Sequence, residues 1–158
     1  MSTPPTSRSS IRPRILVVDD DERLRHMLSL LLRNALPGSQ VETAEDGLAA
    51  QASIPRFSPH LIVTDLAMPN LDGVGLCRWV KSNGFAGTKV LVFTGEPDNR
   101  RLAQALEAGA DSWLAKPPTV MELLSRVEQL LEDVPPGQEQ GHCGAPQHSE
   151  GSRRGGEE

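Results

Sequence analysis

Two rhythms of apolar residues run along this chain. Continuous apolar runs occur at Arg14 to Val18 (RILVV), His60 to Thr64 (HLIVT) and Lys89 to Phe93 (KVLVF). Short runs of this kind predict strands covered on both faces. Val41 to Ala44 is shorter and partly polar, which predicts a strand nearer a sheet edge, and Ser112 to Ala115 predicts a last short strand. Between these runs the spacing turns helical. Leu24, Met27, Leu28, Leu31 and Ala35 predict a helix over Glu22 to Leu36, stopped by Pro37-Gly38. Asp46 to Ile54 predicts a short helix closed by Pro55. Gly73 to Ser82 predicts one with Val74, Cys77 and Val80 on one side, and Asp98 to Ala108 one ended by Gly109. Val120, Leu123, Leu124, Val127, Leu130 and Leu131 form the stripe of a final helix. Strands alternating with helices through five units imply an α/β fold, with a parallel sheet, helices on both faces and right-handed crossovers.

This pattern occupies residues 14–133 of the 158. Residues 1–13 are polar and proline-containing, and residues 134–158 hold six glycines and three prolines, with only Val134, Cys143 and Ala145 apolar. A segment so poor in apolar side chains cannot offset its ordering entropy by burial, which predicts a disordered tail. The tail is too short and polar for a helix-turn-helix or an enzyme, so the expected organisation is a single domain between two flexible ends. The first residues lack an apolar h-region, which argues against a secretory signal, and their prolines disfavour the amphipathic helix of a transit peptide.

Charge and cysteines narrow the classes further. A net charge of −5 argues against a general nucleic-acid-binding surface. No window approaches the roughly 20 apolar residues of a membrane span. Cys77 and Cys143 fit neither a zinc site nor a redox pair, so both read as free thiols in a reducing, cytoplasmic setting.

In open α/β sheets, function gathers beyond the carboxyl ends of the strands. There the chain places Asp19-Asp20-Asp21-Glu22, then Asp65, Thr94 and Lys116-Pro117. Carboxylates crowded on one rim repel by about 4 kcal/mol at 4 Å and an effective dielectric of 20. A divalent cation cancels that cost, and carboxylates plus waters suit Mg²⁺, which takes phosphate oxygens as further ligands. Lysine and a hydroxyl can meet phosphoryl oxygens, and an aspartate can itself be the nucleophile that forms an acyl phosphate.

ILVVDDDE (Ile15 to Glu22), LIVTDLAMPNLDG (Leu61 to Gly73), VLVFTGE (Val90 to Glu96) and AGADSWLAKP (Ala108 to Pro117), in this order and spacing, resemble the receiver domain of two-component response regulators, typified by the chemotaxis receiver. The resemblance implies a flavodoxin-like, doubly wound five-stranded sheet of order 2-1-3-4-5 in a three-layer αβα arrangement. It also implies a phosphoacceptor switch rather than an enzyme. Asp65 would accept a phosphoryl group from a histidine kinase or histidine-phosphotransfer protein. Asp19, Asp20, Asp65 and the backbone carbonyl of Ala67 would hold Mg²⁺. Lys116 would pair with the phosphoryl group, before a Lys-Pro bond that is often cis in this family. Thr94 would be the switch hydroxyl and Trp113 the switch aromatic, and signalling would pass to a downstream protein.

The chain departs from the family pattern in places. Ala67 stands where a polar residue is frequent, Glu96 could influence access of hydrolytic water, and Trp113 is larger than the usual ring. Plainer roles stand beside these. Asp21 reads as a helix cap only, Thr94 could cap a helix, Lys116 could be a solvated loop lysine, and Trp113 could be packing. Met68-Pro69 and Leu71-Asp72-Gly73 shape a loop, with Gly73 expected to allow an unusual backbone angle. Other functional classes are a phosphorelay intermediate or phosphate sink, and a constitutive interaction module. A haloacid-dehalogenase-like phosphatase, suggested by Asp19-x-Asp21, is disfavoured by Arg23 and by the lack of a cap domain.

Overall fold

The three continuous apolar runs lie side by side in the middle of one parallel sheet. The computed structural model describes residues 12–95 and 99–133. In chain order the elements are β1 (Arg14–Val18), α1 (Glu22–Ala35), β2 (Gln40–Ala44), α2 (Gly47–Phe57), β3 (Leu61–Asp65), α3 (Gly73–Ser82), β4 (Lys89–Thr94), α4 (Asn99–Glu107), β5 (Ser112–Ala115) and α5 (Val120–Glu132). The sheet order is β2-β1-β3-β4-β5, all neighbours parallel. The partly polar β2 is an edge strand, as its composition predicts.

Period-two alternation splits the core into two layers. Ile15, Val17, Leu61, Val63, Leu91 and Phe93 pack against Leu28 and Leu32 of α1 and Leu123, Val127 and Leu130 of α5. Leu16, Val18, Ile62, Val90 and Val92 pack on the other face against Ala50 and Ile54 of α2, Val74 and Cys77 of α3 and Ala105 of α4. The result is the flavodoxin-like αβα fold. Among the described residues no helix is long and apolar enough to cross a membrane. Cys77 is buried, and burial pushes its thiol up to about 11, so it serves as packing. Cys143, Asp98, Glu96 and the expected tail lie outside the described residues.

Two local expectations are corrected. Pro55 does not close α2, which continues to Phe57. A proline in the last turn deprives the helix of only one backbone bond, and the buried Phe57 together with the Ser58 amide donating to the Ile54 carbonyl at 2.8 Å holds the end. Gly73 does not adopt a positive φ; in that loop the left-handed residue is Asn70, at φ 70°. The need for glycine at position 73 is one of space: a Cβ there would lie 2.3 Å from the Asp65 carbonyl oxygen.

At the opposite end of the sheet His60 is 2% exposed, and its Nδ1 accepts the Arg14 backbone N–H at 3.0 Å. Burial, helped by the charge of Arg14, lowers its pKa to about 4 from 6.5. The neutral ring is therefore the folded form. Its contribution to stability is complete above pH 6.5 and is lost as pH falls toward 4, by about 3 kcal/mol at most. Urea unfolding across that window is expected to show a steeper fall for the natural chain than for His60→Gln; equal slopes would contradict this account.

Candidate functional site

The register that builds the sheet also builds the site. Val18 lies opposite Thr64 and Thr94 opposite Ala115, so Asp19, Asp65, Thr94 and Lys116 come to one rim from four strand ends. Asp65 and Thr94 are the last residues of β3 and β4 rather than loop residues just beyond them. Thr94 is buried, and its carbonyl accepts the Lys116 N–H at 2.7 Å. The Lys116–Pro117 peptide is cis.

Lys116 Nζ lies 3.0 Å from Asp19 Oδ2 and 3.2 Å from Asp65 Oδ2. Asp19 Oδ1 accepts the Asp21 N–H at 2.9 Å, and Arg25 donates to the Asp19 carbonyl at 2.6 Å, which fixes the turn into α1. Asp21 caps α1 by accepting from the Arg23 and Leu24 amides, as its position predicts. Oxygens of Asp19, Asp20 and Asp65 all lie within 4.8 Å of one another. Asp19 and Asp65 are buried while Asp20 is exposed, so the cluster opens to solvent on one side.

One ammonium cannot neutralise three carboxylates. Burial, with the charge of Asp19 adding to it and that of Lys116 opposing, holds the Asp65 carboxyl above its ordinary value. For Lys116 burial acts downward, but the hydrogen bond it donates to Asp19 and the charges of both carboxylates outweigh it and the net shift is upward. An all-oxygen, carboxylate-rich donor set with uncompensated repulsion fits a hard divalent cation. These residues could hold one.

Beside the cluster lies a cavity of about 360 Å³ lined by Asp65, Leu66, Ala67, Thr94, Gly95, Arg101 and Lys116. Ala67 is exposed in its wall and contributes only a methyl group beyond its backbone. Trp113 is 37% exposed on β5 and belongs to neither core layer. The rim thus gathers Asp19, Asp20, Asp65, Thr94 and Lys116, with Ala67 in the cavity wall and Trp113 apart on the surface. Arg101 was not singled out from the sequence. It belongs to no strand-end motif, and only the packing of α4 against the sheet brings it to the cavity.

A parallel sheet with a carboxylate trio, a lysine and a hydroxyl around an open cavity at its carboxyl end defines a phosphoryl-handling switch of the α/β class. The comparisons agree. Residues 15–128 match the response regulator receiver domain family. Response regulator MprA of Mycobacterium leprae is 39% identical over 123 residues, 78% of this chain and 53% of that protein. A putative response regulator from Chloroflexus aurantiacus superposes with a TM-score of 0.70 at 34% identity, covering 76% of this chain and 98% of that one. The signal receiver domain of a signal transduction histidine kinase from Syntrophus aciditrophicus does so with a TM-score of 0.70 at 33% identity, covering 77% and 92%.

The chain belongs to the response regulator receiver domain family of two-component signalling. The matched domain is a signalling switch rather than an enzyme in the ordinary sense, which removes the phosphatase reading for residues 15–128. The family works with histidine kinases or phosphotransfer proteins. The chain spans about half the length of the MprA relatives it matches.

Proposed function

We propose that Asp65 is the phosphoacceptor of a Mg²⁺-dependent response regulator. The observation that carries this reading is Lys116 Nζ poised within 3.2 Å of both Asp19 and Asp65 at the mouth of an open cavity. An Asp65 carboxylate oxygen attacks the phosphorus of a phosphohistidine, the P–N bond breaks, and the imidazole leaves with its electron pair and takes up a proton. Lys116, already fixed by Asp19, meets the charge that grows on the phosphoryl oxygens. Asp19, Asp20, Asp65 and the Ala67 carbonyl are the proposed Mg²⁺ ligands. The bound ion would neutralise the same oxygens and the carboxylate repulsion.

The aspartyl phosphate brings roughly two negative charges to the rim, by analogy with other phosphoresidues. Thr94 donates its hydroxyl to a phosphoryl oxygen and Trp113 leaves its exposed position, so a downstream protein that binds the rearranged surface shifts the population toward it. A cytoplasmic location is supported by the family and by the histidine kinase donors it uses. Acetyl phosphate with Mg²⁺ is the direct test: the intact chain is expected to gain one hydroxylamine-sensitive phosphoryl group, and no gain with or without EDTA would end the proposal. Lys116→Met is expected to slow uptake about 10²-fold while leaving Asp65 in place. Rapid return of the phosphoryl group to a histidine-phosphotransfer protein would mark a relay or sink, and a slow return an effector.

A further inference from the structure

A second cation faces the cavity over Asp65. Arg101, the third residue of α4, lines it together with Lys116, Thr94 and Ala67. Its Nη2 lies 3.4 Å from Asp72 Oδ2, and the two side chains are 43% and 35% exposed. That contact is at the long limit of a hydrogen bond and is screened by water, so it holds the guanidinium weakly. Asp72 does not depend on it, because its Oδ1 caps α3 by accepting the Gly75 N–H at 2.9 Å.

Charge balance gives Arg101 a use. With a divalent cation bound, the three carboxylates are matched by that ion and Lys116. Exchanging the Asp65 carboxylate for an acyl phosphate replaces one negative charge by roughly two. An excess of about one negative charge then faces the cavity that Arg101 lines. The methyl of Ala67 leaves the cavity wall open to a long side chain, and a guanidinium fork matches phosphoryl oxygens with two parallel hydrogen bonds.

We propose that Arg101 is a phosphoryl ligand of the activated state, exchanging Asp72 for the phosphoryl oxygens on Asp65. This rests on the reading of Asp65 as phosphoacceptor. The exchange shields the acyl phosphate from water and couples the first turn of α4 to the modification, a regulatory link separate from Thr94.

The test is titration of the full chain with beryllofluoride in Mg²⁺, followed by fluorine NMR, together with the decay of the aspartyl phosphate. Arg101→Ala is expected to weaken beryllofluoride binding about tenfold and to shorten the phosphoryl lifetime to a similar degree. Arg101→Lys restores part of the affinity, because a point charge replaces a fork. Asp72→Asn removes the competing carboxylate and tightens binding by about threefold. Mg²⁺ affinity without beryllofluoride and the melting temperature move little in the Arg101 variants, which a merely structural role would not predict. Equal beryllofluoride affinity and equal lifetime in Arg101→Ala and the natural chain would overturn the proposal while leaving the phosphoacceptor reading intact. If the natural chain and Asp65→Asn respond alike, that reading itself fails.

Discussion

Asp65→Asn is expected to abolish phosphoryl uptake from acetyl phosphate, a loss of at least about 10³-fold, because an amide oxygen is no match for a carboxylate as nucleophile. The same substitution is expected to stabilise the fold when no divalent cation is present. Burial holds the Asp65 carboxyl above its ordinary value, with the Asp19 charge adding to the shift. Ionisation of this group therefore opposes folding. Its contribution to stability is complete below the unfolded value of 3.8 and is lost as pH rises through the folded one. The stability difference between Asp65→Asn and the natural chain should grow as pH rises from 3.8 and then level off. Mg²⁺ should shrink it by binding the natural site. Thermal melts of both proteins with EDTA and with Mg²⁺ check this. A natural chain more stable than Asp65→Asn in EDTA at neutral pH would show that the carboxylate is not strained. Function held at a cost in stability is what a site of crowded charges requires.

The central strands were legible because burial on both faces leaves nothing but apolar residues: Ile15 to Val18 and Val90 to Phe93 can be nothing else. The edge position of β2 was legible for the converse reason, since a charged Glu42 does not suit the middle of a sheet covered on both faces. Local rules erred where tertiary packing outvotes them. Pro55 reads as a stop, yet Phe57 has a core position to fill and draws the helix two residues past it. The predicted strands also ended one residue short at Asp65 and Thr94, because a polar residue looks like a turn until its neighbours in the register are known.

The site was legible because its members sit at strand ends, where a parallel sheet must converge them. Asp19, Asp65, Thr94 and Lys116 needed only the strand order to be placed together. Arg101 had no such guide. A helix offers many faces, and which one looks into the cavity depends on how α4 turns its own buried Leu102 and Ala105 toward the core. Trp113 was ambiguous for a related reason: an aromatic on a short edge strand can turn inward or outward, and nothing in its neighbours decides which.

Gly73→Ala is expected to damage both stability and phosphoryl uptake although it removes no functional atom. A Cβ at position 73 would lie 2.3 Å from the Asp65 carbonyl oxygen and 2.9 Å from the Leu66 Cα, and both of these are backbone. The Gly73 N–H also donates to the Leu66 carbonyl at 2.9 Å, so the two segments are tied together and cannot separate without losing that bond. Overpacking of this kind costs about 3 kcal/mol. The strain falls on the segment that carries Asp65, the proposed phosphoacceptor, and displacement of a reacting group by about 1 Å can cost 10²-fold in rate. Urea unfolding and the rate of phosphoryl uptake from acetyl phosphate should therefore fall together. Gly75→Ala separates space from helix propensity. Its Cβ would press only on the flexible Leu71 side chain, at 2.6 Å from Cδ1, with Asp72 Oδ1 at an ordinary 3.4 Å, and alanine favours the helix by about 1 kcal/mol over glycine. That variant should remain near natural stability and activity. If Gly73→Ala behaved the same way, the contact between the start of α3 and the end of β3 would not be what positions Asp65.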